Sequence, residues 1–302
     1  MEKYIIDIED RQLEISNPDR VIWHEAAITK LDYVKYLIEM SPFLLPYARN
    51  RMLMIWRYPD GIQGRRVEER SIHGPAPDWV PRVVYGDKPR ILLNDLATLI
   101  WIANRGALEL HLPFDRYDHK DYPTELVFDL DPAEHMPFDK VREVALMLRE
   151  VLAGLSLESY PKTSGATGLQ VFVPIEPKYK YEEARRINSF IARYLLQRMP
   201  NQITLERVVA KRGNKLYLDF LQLWRGRTMA AAYSVRAKKQ ATVSTPVTWN
   251  EIEKGCHPSD FTLATVPGRI KRIGDLFKEV SSEEHRLPQR VDEILAFIRK
   301  NE

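Results

Sequence analysis

Three aspartates lie in segments that otherwise have the pattern of buried β-strands. "ELVFDLDP" carries Asp129 and Asp131, and "KLYLDFLQ" carries Asp219. Residues two apart in a strand project from the same face, so Asp129 and Asp131 should lie side by side and repel each other. Carboxylates from two strands could hold two divalent cations for phosphoryl transfer. An Asp-x-Asp pair is also common at a solvated strand end before a turn, so the pattern alone leaves both interpretations open.

A glycine-containing loop, "KTSGATG" from Lys162 to Gly168, leads into the strand "LQVFVP". Its backbone N–H groups, with Ser164, Gly165 and Thr167, are the components of an anion-binding nest. The motif alone is weak, because many glycine-rich turns look similar. From Glu206 to Lys239 there are nine Lys or Arg residues against two acids. This bias favours a polyanion such as nucleic acid or a triphosphate, although a solvated basic face would have the same composition.

Strand and helix patterns interleave along the chain and predict an α/β (α+β) fold of mixed sheets with flanking helices. A capping-box pair, Thr29 and Asp32, predicts the start of a helix. Further patterns predict helices over Leu93 to Ala103 and in "FDKVREVALMLREVLAGL", and a closing helix in "VDEILAFIRK". Strands are predicted over Leu108 to Leu112 and in the two aspartate-bearing segments. We expect one catalytic domain over 1–302, with a soft division into an N-terminal part, 1–120, and a palm-like part, 121–302.

Composition excludes several classes of protein. The 302 residues include one cysteine, Cys256, which leaves no internal disulfide framework and no cysteine-based zinc site. No segment approaches the roughly twenty apolar residues that span a bilayer. The N-terminus, "MEKYIIDIED", lacks the basic-then-apolar order of a signal peptide. We therefore expect a cytoplasmic protein with no membrane partner.

Several motifs, taken in order and spacing, resemble the polymerase domain of bacterial ligase D, a member of the archaeo-eukaryotic primase superfamily. They are "ELVFDLDP", "KTSGATGLQVFVP", "LYLDFLQ" and "AAYSVRAKKQATVSTPVTW", with "NPDRVIW", "RYPDG", "PAPDWV" and "ALELH" upstream, covering about residues 15 to 275. The resemblance implies a DNA-directed nucleotidyltransferase of non-homologous end joining that fills gaps or extends 3′ ends. Two Mn²⁺ or Mg²⁺ ions, gapped DNA, NTP or dNTP substrates, ribonucleotide use and a nucleoid location are part of that expectation. No Lys-x-Asp-Gly ligase motif occurs, so a fused or separate DNA ligase and the end-binding protein Ku are the implied partners.

The resemblance also implies roles for individual residues. It assigns Asp129, Asp131 and Asp219 to the catalytic metals and places His111 at the primer terminus. Without the resemblance, His111 would be a lone strand-end histidine of structural use. The remaining implied roles are nucleotide binding by Ser164, Gly165, Thr167, Gln170, Arg236 and Arg70, and contact with a DNA 5′-phosphate by Arg20 and Lys30. Considered alone, Arg20 and Lys30 would be two surface charges.

The chain departs from the family pattern at three places. Gln170 stands where a histidine is usual, Trp56 replaces a lysine before "RYPDG", and Val67–Glu68 replaces an aromatic pair. These departures leave open a rival function, a catalytically weakened DNA-end-binding module, although a retained cluster of carboxylates is costly without a metal. An Asp-x-Asp phosphatase is set aside, since that class places Thr or Val four residues after the first Asp, where Ala133 stands here.

Overall fold

The computed structural model describes residues 3–72, 74–281 and 289–301. Its helices are α1 (Lys30–Ala48), α2 (Leu96–Asn104), α3 (Phe138–Gly154), α4 (Tyr181–Arg198), α5 (Trp249–Glu253), α6 (Val266–Ile273), α7 (Lys278–Ser281) and α8 (Val291–Asn301). Its strands are β1 (Lys3–Ile8), β2 (Arg11–Ser16), β3 (Val21–Trp23), β4 (Ile28–Thr29), β5 (Met54–Arg57), β6 (Val67–Glu69), β7 (Arg82–Tyr85), β8 (Lys88–Ile91), β9 (Ala107–Leu112), β10 (Glu125–Asp131), β11 (Tyr160–Thr163), β12 (Leu169–Pro174), β13 (Ile203–Thr204), β14 (Leu216–Asp219) and β15 (Met229–Ala230). The predicted mixed α/β class is confirmed.

The chain divides into two compact units. The first comprises Met1–Pro113, Thr228–Ser244 and Ser259–Asp275, and the second comprises Phe114–Arg227, Thr245–Pro258 and Leu276–Glu302. The first change of unit, at Pro113 to Phe114, lies near the predicted division at residue 120. Two later segments nevertheless return to the first unit, which a single boundary drawn on the sequence does not describe. The single catalytic domain over 1–302 stays a prediction.

The first unit contains a four-stranded sheet in the order β15-β9-β5-β6. All six residues of β9 are buried. Helix α1 begins at the predicted capping box, in which the Thr29 hydroxyl accepts a hydrogen bond from the Asp32 backbone N–H at 3.2 Å, and Asp32 accepts one from the Thr29 N–H at 3.0 Å. The Tyr33 hydroxyl donates to the carbonyl oxygen of Ala107 at 3.0 Å, which fastens α1 to the start of β9.

The second unit contains a five-stranded sheet in the order β11-β12-β10-β14-β13. Its strand pairs are antiparallel except for β13 and β14, which are parallel. Helices α3 and α4 contact β10, and the side-chain amide of Asn188 in α4 donates to the Val127 carbonyl at 2.8 Å. The helix predicted in "FDKVREVALMLREVLAGL" is confirmed as α3, and the apolar residues at helical spacing along it are buried: Val141, Val144, Ala145, Leu148 and Leu152.

Two predicted boundaries move by a few residues, each because an aspartate side chain binds the backbone. The helix predicted from Leu93 begins at Leu96, since Asp95 caps it by accepting a hydrogen bond from the Thr98 N–H at 2.7 Å. The strand in "KLYLDFLQ" ends at Asp219, which accepts from the Leu221 N–H at 2.9 Å and starts a turn. The closing helix is confirmed as α8. Among the residues described, no helix has both the length and the apolar character needed to cross a membrane.

Candidate active site

Four polar residues lie in register across four neighbouring strands of the second unit. Asp129 in β10 pairs with Asp219 in β14 on one side and with Gln170 in β12 on the other. Gln170 in turn pairs with Lys162 in β11. Directly opposed residues project from the same face of a sheet, so we call Lys162, Gln170, Asp129 and Asp219 the polar row. Asp131, two residues beyond Asp129, projects from that face as well, as the sequence predicted.

The acidic end of the polar row is held by an arginine and a tyrosine. Nη1 of Arg212 donates to Oδ2 of Asp131 at 3.2 Å, and the Arg212 guanidinium lies 3.8 Å from the centre of the Tyr217 ring. The Tyr217 hydroxyl donates to Oδ1 of Asp219 at 3.0 Å. Sequence reasoning counted Arg212 only as part of a basic segment and overlooked Tyr217. The signal for Tyr217 was its position two residues before Asp219, which places both side chains on the same face of the strand.

Burial and neighbouring negative charge destabilise the charged forms of Asp129 and Asp131. Burial, and then the charges of Asp131 and Asp219, raise the pKa of Asp129 to about 7. Burial also raises the pKa of Asp131, although the charge of Arg212 opposes this. A bound cation would relieve the repulsion between these carboxylates. Mg²⁺ and Mn²⁺ suit the site because they prefer oxygen ligands. Among the described residues, no group of three or more His, Cys, Asp or Glu side chains is arranged to hold a metal ion, so the ligand set stays a prediction that donor chemistry supports.

The glycine-containing loop is packed against the end of β10. A Cβ atom added to Gly168 would lie 2.5 Å from the Leu130 carbonyl oxygen, so only glycine permits this close approach. The Ser164 hydroxyl accepts hydrogen bonds from the N–H groups of Ala166 at 3.1 Å and Gly168 at 3.0 Å. These two N–H groups therefore bind within the loop, whereas the predicted nest would point them at an anion. Thr167 is exposed.

The polar row has a buried cation at its other end. Lys162 is fully buried, and its ammonium donates to Oε1 of Gln170 at 2.6 Å. Nε2 of Gln170 donates to Oδ1 of Asp129 at 3.3 Å. On the sequence alone, Lys162 was only the first residue of the loop. No local pattern indicated this contact, because Lys162 meets Gln170 only through the antiparallel pairing of β11 and β12.

In the first unit, Glu109 joins His111 and Arg236, two of the predicted site residues. Oε2 of Glu109 lies 3.2 Å from Nε2 of His111 and accepts a hydrogen bond from Nε of Arg236 at 2.8 Å. Oε1 of Glu109 accepts from the Ala237 N–H at 3.0 Å. Burial acts to raise the pKa of Glu109, but the hydrogen bond with His111 and the charge of Arg236 outweigh it and lower that pKa. Sequence reasoning did not single out Glu109.

Trp56, the residue that replaces the family's lysine, packs against His111. The centres of the two rings lie 4.6 Å apart, and the Arg66 guanidinium lies 4.2 Å from the centre of a Trp56 ring. Trp56 pairs with Glu68 across β5 and β6. Arg70, a predicted nucleotide contact, forms an exposed ion pair with that same Glu68, at 3.0 Å from Nε to Oε1. Two of the three departures from the family pattern, Trp56 and Val67–Glu68, are therefore neighbours in this sheet, whereas Gln170 lies in the sheet of the second unit.

Arg20 and Lys30, the predicted 5′-phosphate residues, lie close together. The Lys30 backbone N–H donates to the Arg20 carbonyl at 2.9 Å, and its buried ammonium donates to the Ser16 carbonyl at 2.7 Å. Burial, and then the charge of Arg20, lower the pKa of Lys30 to about 8. The Arg20 guanidinium donates to the Pro59 carbonyl at 2.7 Å. An open cavity of about 560 Å³, lined by residues 17–20, adjoins the pair.

A family model and several known proteins match this chain over most of its length. The family model described as LigD, primase-polymerase domain, matches residues 29–277. The bifunctional non-homologous end joining protein LigD of Bacillus subtilis is 36% identical over 264 residues, 87% of this chain and 43% of that protein. The multifunctional non-homologous end joining protein LigD of Mycolicibacterium smegmatis is 30% identical over 289 residues, which are 94% of this chain and 37% of that protein. The chain thus spans less than half the length of these relatives.

A solved structure is similar over nearly the whole chain. It is the polymerase domain from Mycobacterium tuberculosis Ligase D in complex with DNA, which superposes with a TM-score of 0.84 at 28% sequence identity. The match covers 91% of this chain and 99% of that one. Both the resemblance drawn from the motifs and the α/β fold class are confirmed.

Proposed function

Because this chain belongs to the LigD primase-polymerase domain family, we propose that it is a DNA-directed nucleotidyltransferase of bacterial non-homologous end joining. It would fill gaps or extend a 3′ end at a DNA break, taking nucleotides from NTP or dNTP and releasing pyrophosphate. The family match over residues 29–277 and the similarity to a DNA-bound polymerase domain support this proposal.

One observation carries the proposal: Asp129 lies in register with Asp219, with Asp131 two residues further on the same face. Two divalent cations, Mn²⁺ or Mg²⁺, would supply stabilisation of the attacking and leaving oxygens of an in-line displacement. Asp129, Asp131 and Asp219 are the side chains we assign to hold them. Burial, and then the charges of Asp131 and Asp219, raise the pKa of Asp129, and the positive charge of a bound cation would offset that repulsion.

The neighbouring loop is assigned to the nucleotide. Ser164, Gly165 and Thr167 lie in the loop that Gly168 packs against β10, the strand that carries two of the aspartates. This loop would bind triphosphate oxygens, with the Thr167 side chain exposed to meet them. Because Ala166 and Gly168 already donate to Ser164, phosphate binding would depend on hydroxyl groups or on rearranged hydrogen bonds in the loop.

The first unit carries the other assigned roles. Arg236 and Arg70 are proposed contacts of the incoming nucleotide, and His111 is a proposed contact of the primer terminus. The ion pair of Arg236 with Glu109 fixes the direction of its guanidinium. Arg20 and Lys30 are the proposed contacts of a DNA 5′-phosphate, and their proximity gives two positive charges at one place.

The wider setting is proposed from the relatives, whose names include non-homologous end joining. We propose gapped DNA or DNA ends as the nucleic-acid partner. A DNA ligase, fused or separate, and Ku would complete the repair. Ribonucleotide use and a place at the nucleoid belong to the same proposal.

A gap-extension assay tests the proposal. With Mn²⁺ and labelled nucleotides, the wild-type chain should extend a primer across a gap. Asp219→Ala should lose extension while keeping DNA affinity, because the basic surface is unchanged. Asp139→Asn, which alters an exposed acid at the start of α3, serves as the control and should match wild type. Binding to gapped DNA with no extension by the wild type under any of these conditions would favour the rival, a weakened end-binding module.

A further inference from the structure

The side-chain amide of Gln170 is engaged at both ends. Its Oε1 accepts a hydrogen bond from the Lys162 ammonium at 2.6 Å, and its Nε2 donates to Oδ1 of Asp129 at 3.3 Å. An ammonium can only donate and a carboxylate can only accept. Lys162 must therefore meet the oxygen of the amide, and this leaves the nitrogen facing Asp129. The two charged neighbours select one orientation of the amide.

Burying these polar groups costs desolvation free energy, most of all for the charged Lys162. Lys162 is fully buried and Gln170 is 5% exposed. Lysine is among the residues that are rarely fully buried unless a partner compensates the charge. The Lys162 ammonium also lies 5.6 Å from the centre of the Phe172 ring. An apolar residue at position 162 would fill this space with no charge to desolvate.

We propose that Gln170 is a positioning residue that holds Asp129 in its metal-binding orientation, and that Lys162 acts through Gln170. The inference rests on the proposed function, in which Asp129 is a metal ligand. Carboxylates that bind metals are commonly fixed by hydrogen bonds from a second layer of residues, and loss of such a partner typically costs 10- to 100-fold in metal affinity or activity. The amide would supply that partner here.

The alternative role for Gln170 is the triphosphate contact implied by the histidine of the family. The two roles differ in kinetics. A contact with the triphosphate is made in both ground and transition states, so its loss raises the nucleotide KM with a smaller effect on kcat. Loss of a group that orients a metal ligand lowers kcat and weakens metal binding, and leaves the nucleotide KM near its original value.

Gln170→Leu tests the role of the amide, because leucine has a similar volume and no polar group. Calorimetric titration with Mn²⁺ alone should show about 10-fold weaker binding than wild type. Primer extension at saturating Mn²⁺ should show a lower kcat with the nucleotide KM within about twofold. Tyr160→Phe is the matched control, since Tyr160 lies on the same strand and face as Lys162 but its hydroxyl bonds Glu158. This control should match wild type in both measurements.

Lys162→Met separates positioning from simple electrostatics. If the ammonium acted only as a positive charge beside the acidic cluster, its removal would tighten Mn²⁺ binding, because a repulsion would be lost. If it acts through Gln170, its removal frees the amide to turn and weakens Mn²⁺ binding. The double variant should then bind Mn²⁺ no more weakly than Gln170→Leu, since the two residues act in series.

Three results would overturn the inference: unchanged Mn²⁺ affinity in Gln170→Leu, tighter binding in Lys162→Met, or a raised KM with unchanged kcat. Thermal unfolding followed by circular dichroism verifies that each variant is folded. If Lys162→Met does not fold, the Gln170→Leu titration decides the case. The Mn²⁺ titration needs no turnover, so it distinguishes failure of this inference from failure of the proposed polymerase activity.

Discussion

Asp129 and Asp219 are directly opposed on neighbouring antiparallel strands. Like charges in opposed positions destabilise a sheet, and burial adds to the cost by raising the pKa of Asp129 to about 7. The second unit thus retains an arrangement that works against its own stability. The proposed metal site accounts for it, because bound cations would convert the repulsion into shared attraction.

Replacing one of these acids should stabilise the metal-free protein. Because the pKa of Asp129 is raised in the folded protein, protonated Asp129 contributes to folding stability at low pH. This contribution is fully present below the usual carboxyl pKa and is lost as pH rises through about 7. Asp129→Asn removes that loss, so its Tm in EDTA should exceed that of wild type by a few degrees at pH 8. The difference should shrink towards pH 5. Scanning calorimetry at both pH values measures it, and a lower Tm for the variant at pH 8 would contradict the repulsion argument.

Substitution of Gly168 should impair the protein because a side chain there would clash with the Leu130 carbonyl oxygen, and not because the backbone needs a glycine conformation. In Gly168→Ala the new Cβ would meet the Leu130 carbonyl oxygen at 2.5 Å, so the loop must move away from β10. Primer extension should fall sharply, with a raised nucleotide KM. Gly154→Ala, at the end of α3 with no atom near the new Cβ, is the control and should leave activity unchanged and add about 0.5–1 kcal/mol of stability. Equal behaviour of the two variants would refute the packing argument.

A 5′-phosphate should tighten binding to gapped DNA if Arg20 and Lys30 hold it. Comparing phosphorylated with unphosphorylated gaps by fluorescence anisotropy should show this gain, and Arg20→Ala should reduce it. Each phosphate contact that is lost should also flatten the slope of log affinity against log salt by about one unit. Equal affinity of the wild type for the two gaps would exclude the assignment.

The same gain should depend on pH. Burial and the nearby Arg20 lower the pKa of Lys30 to about 8, so its positive charge is present at pH 7 and is lost as pH rises through 8. The affinity gained from the 5′-phosphate should therefore decrease between pH 7 and pH 9. Lys30→Arg keeps its charge over this range, and its gain should stay constant. A wild-type gain that does not change with pH would show that Lys30 does not contact the phosphate.

The ion pair of Glu109 and Arg236 should matter for the stability of the first unit. The Glu109 side chain is 4% exposed and the Arg236 side chain is 13% exposed. Glu109→Ala therefore leaves a largely buried guanidinium without its carboxylate. We expect a loss of about 3 kcal/mol in urea-induced unfolding. Glu143→Ala breaks an exposed pair with Lys140 in α3 and should cost less than about 1 kcal/mol. A similar cost for both would mean that burial does not strengthen the first pair.

The sequence by itself determined the elements and the acidic motif. Period-two alternation placed Asp129 and Asp131 on one face, and helical spacing gave the buried stripe of α3. The capping box at Thr29 and Asp32 fixed the start of α1. These features depend on neighbours within a few residues, so local stereochemistry is enough to predict them. The order and spacing of several motifs also indicated the family, which the comparisons confirmed.

Only the tertiary structure decided which residues meet across strands. Asp129 lies about 90 positions from Asp219 and 41 from Gln170 along the chain, and the register that opposes them depends on how whole strands pair. The same pairing revealed the buried Lys162 behind Gln170, which no local pattern distinguished from an ordinary loop residue. Glu109 likewise meets Arg236 over 127 positions. Contacts of this kind depend on the packing of distant segments, because a one-residue slip of a strand turns every side chain to the other face.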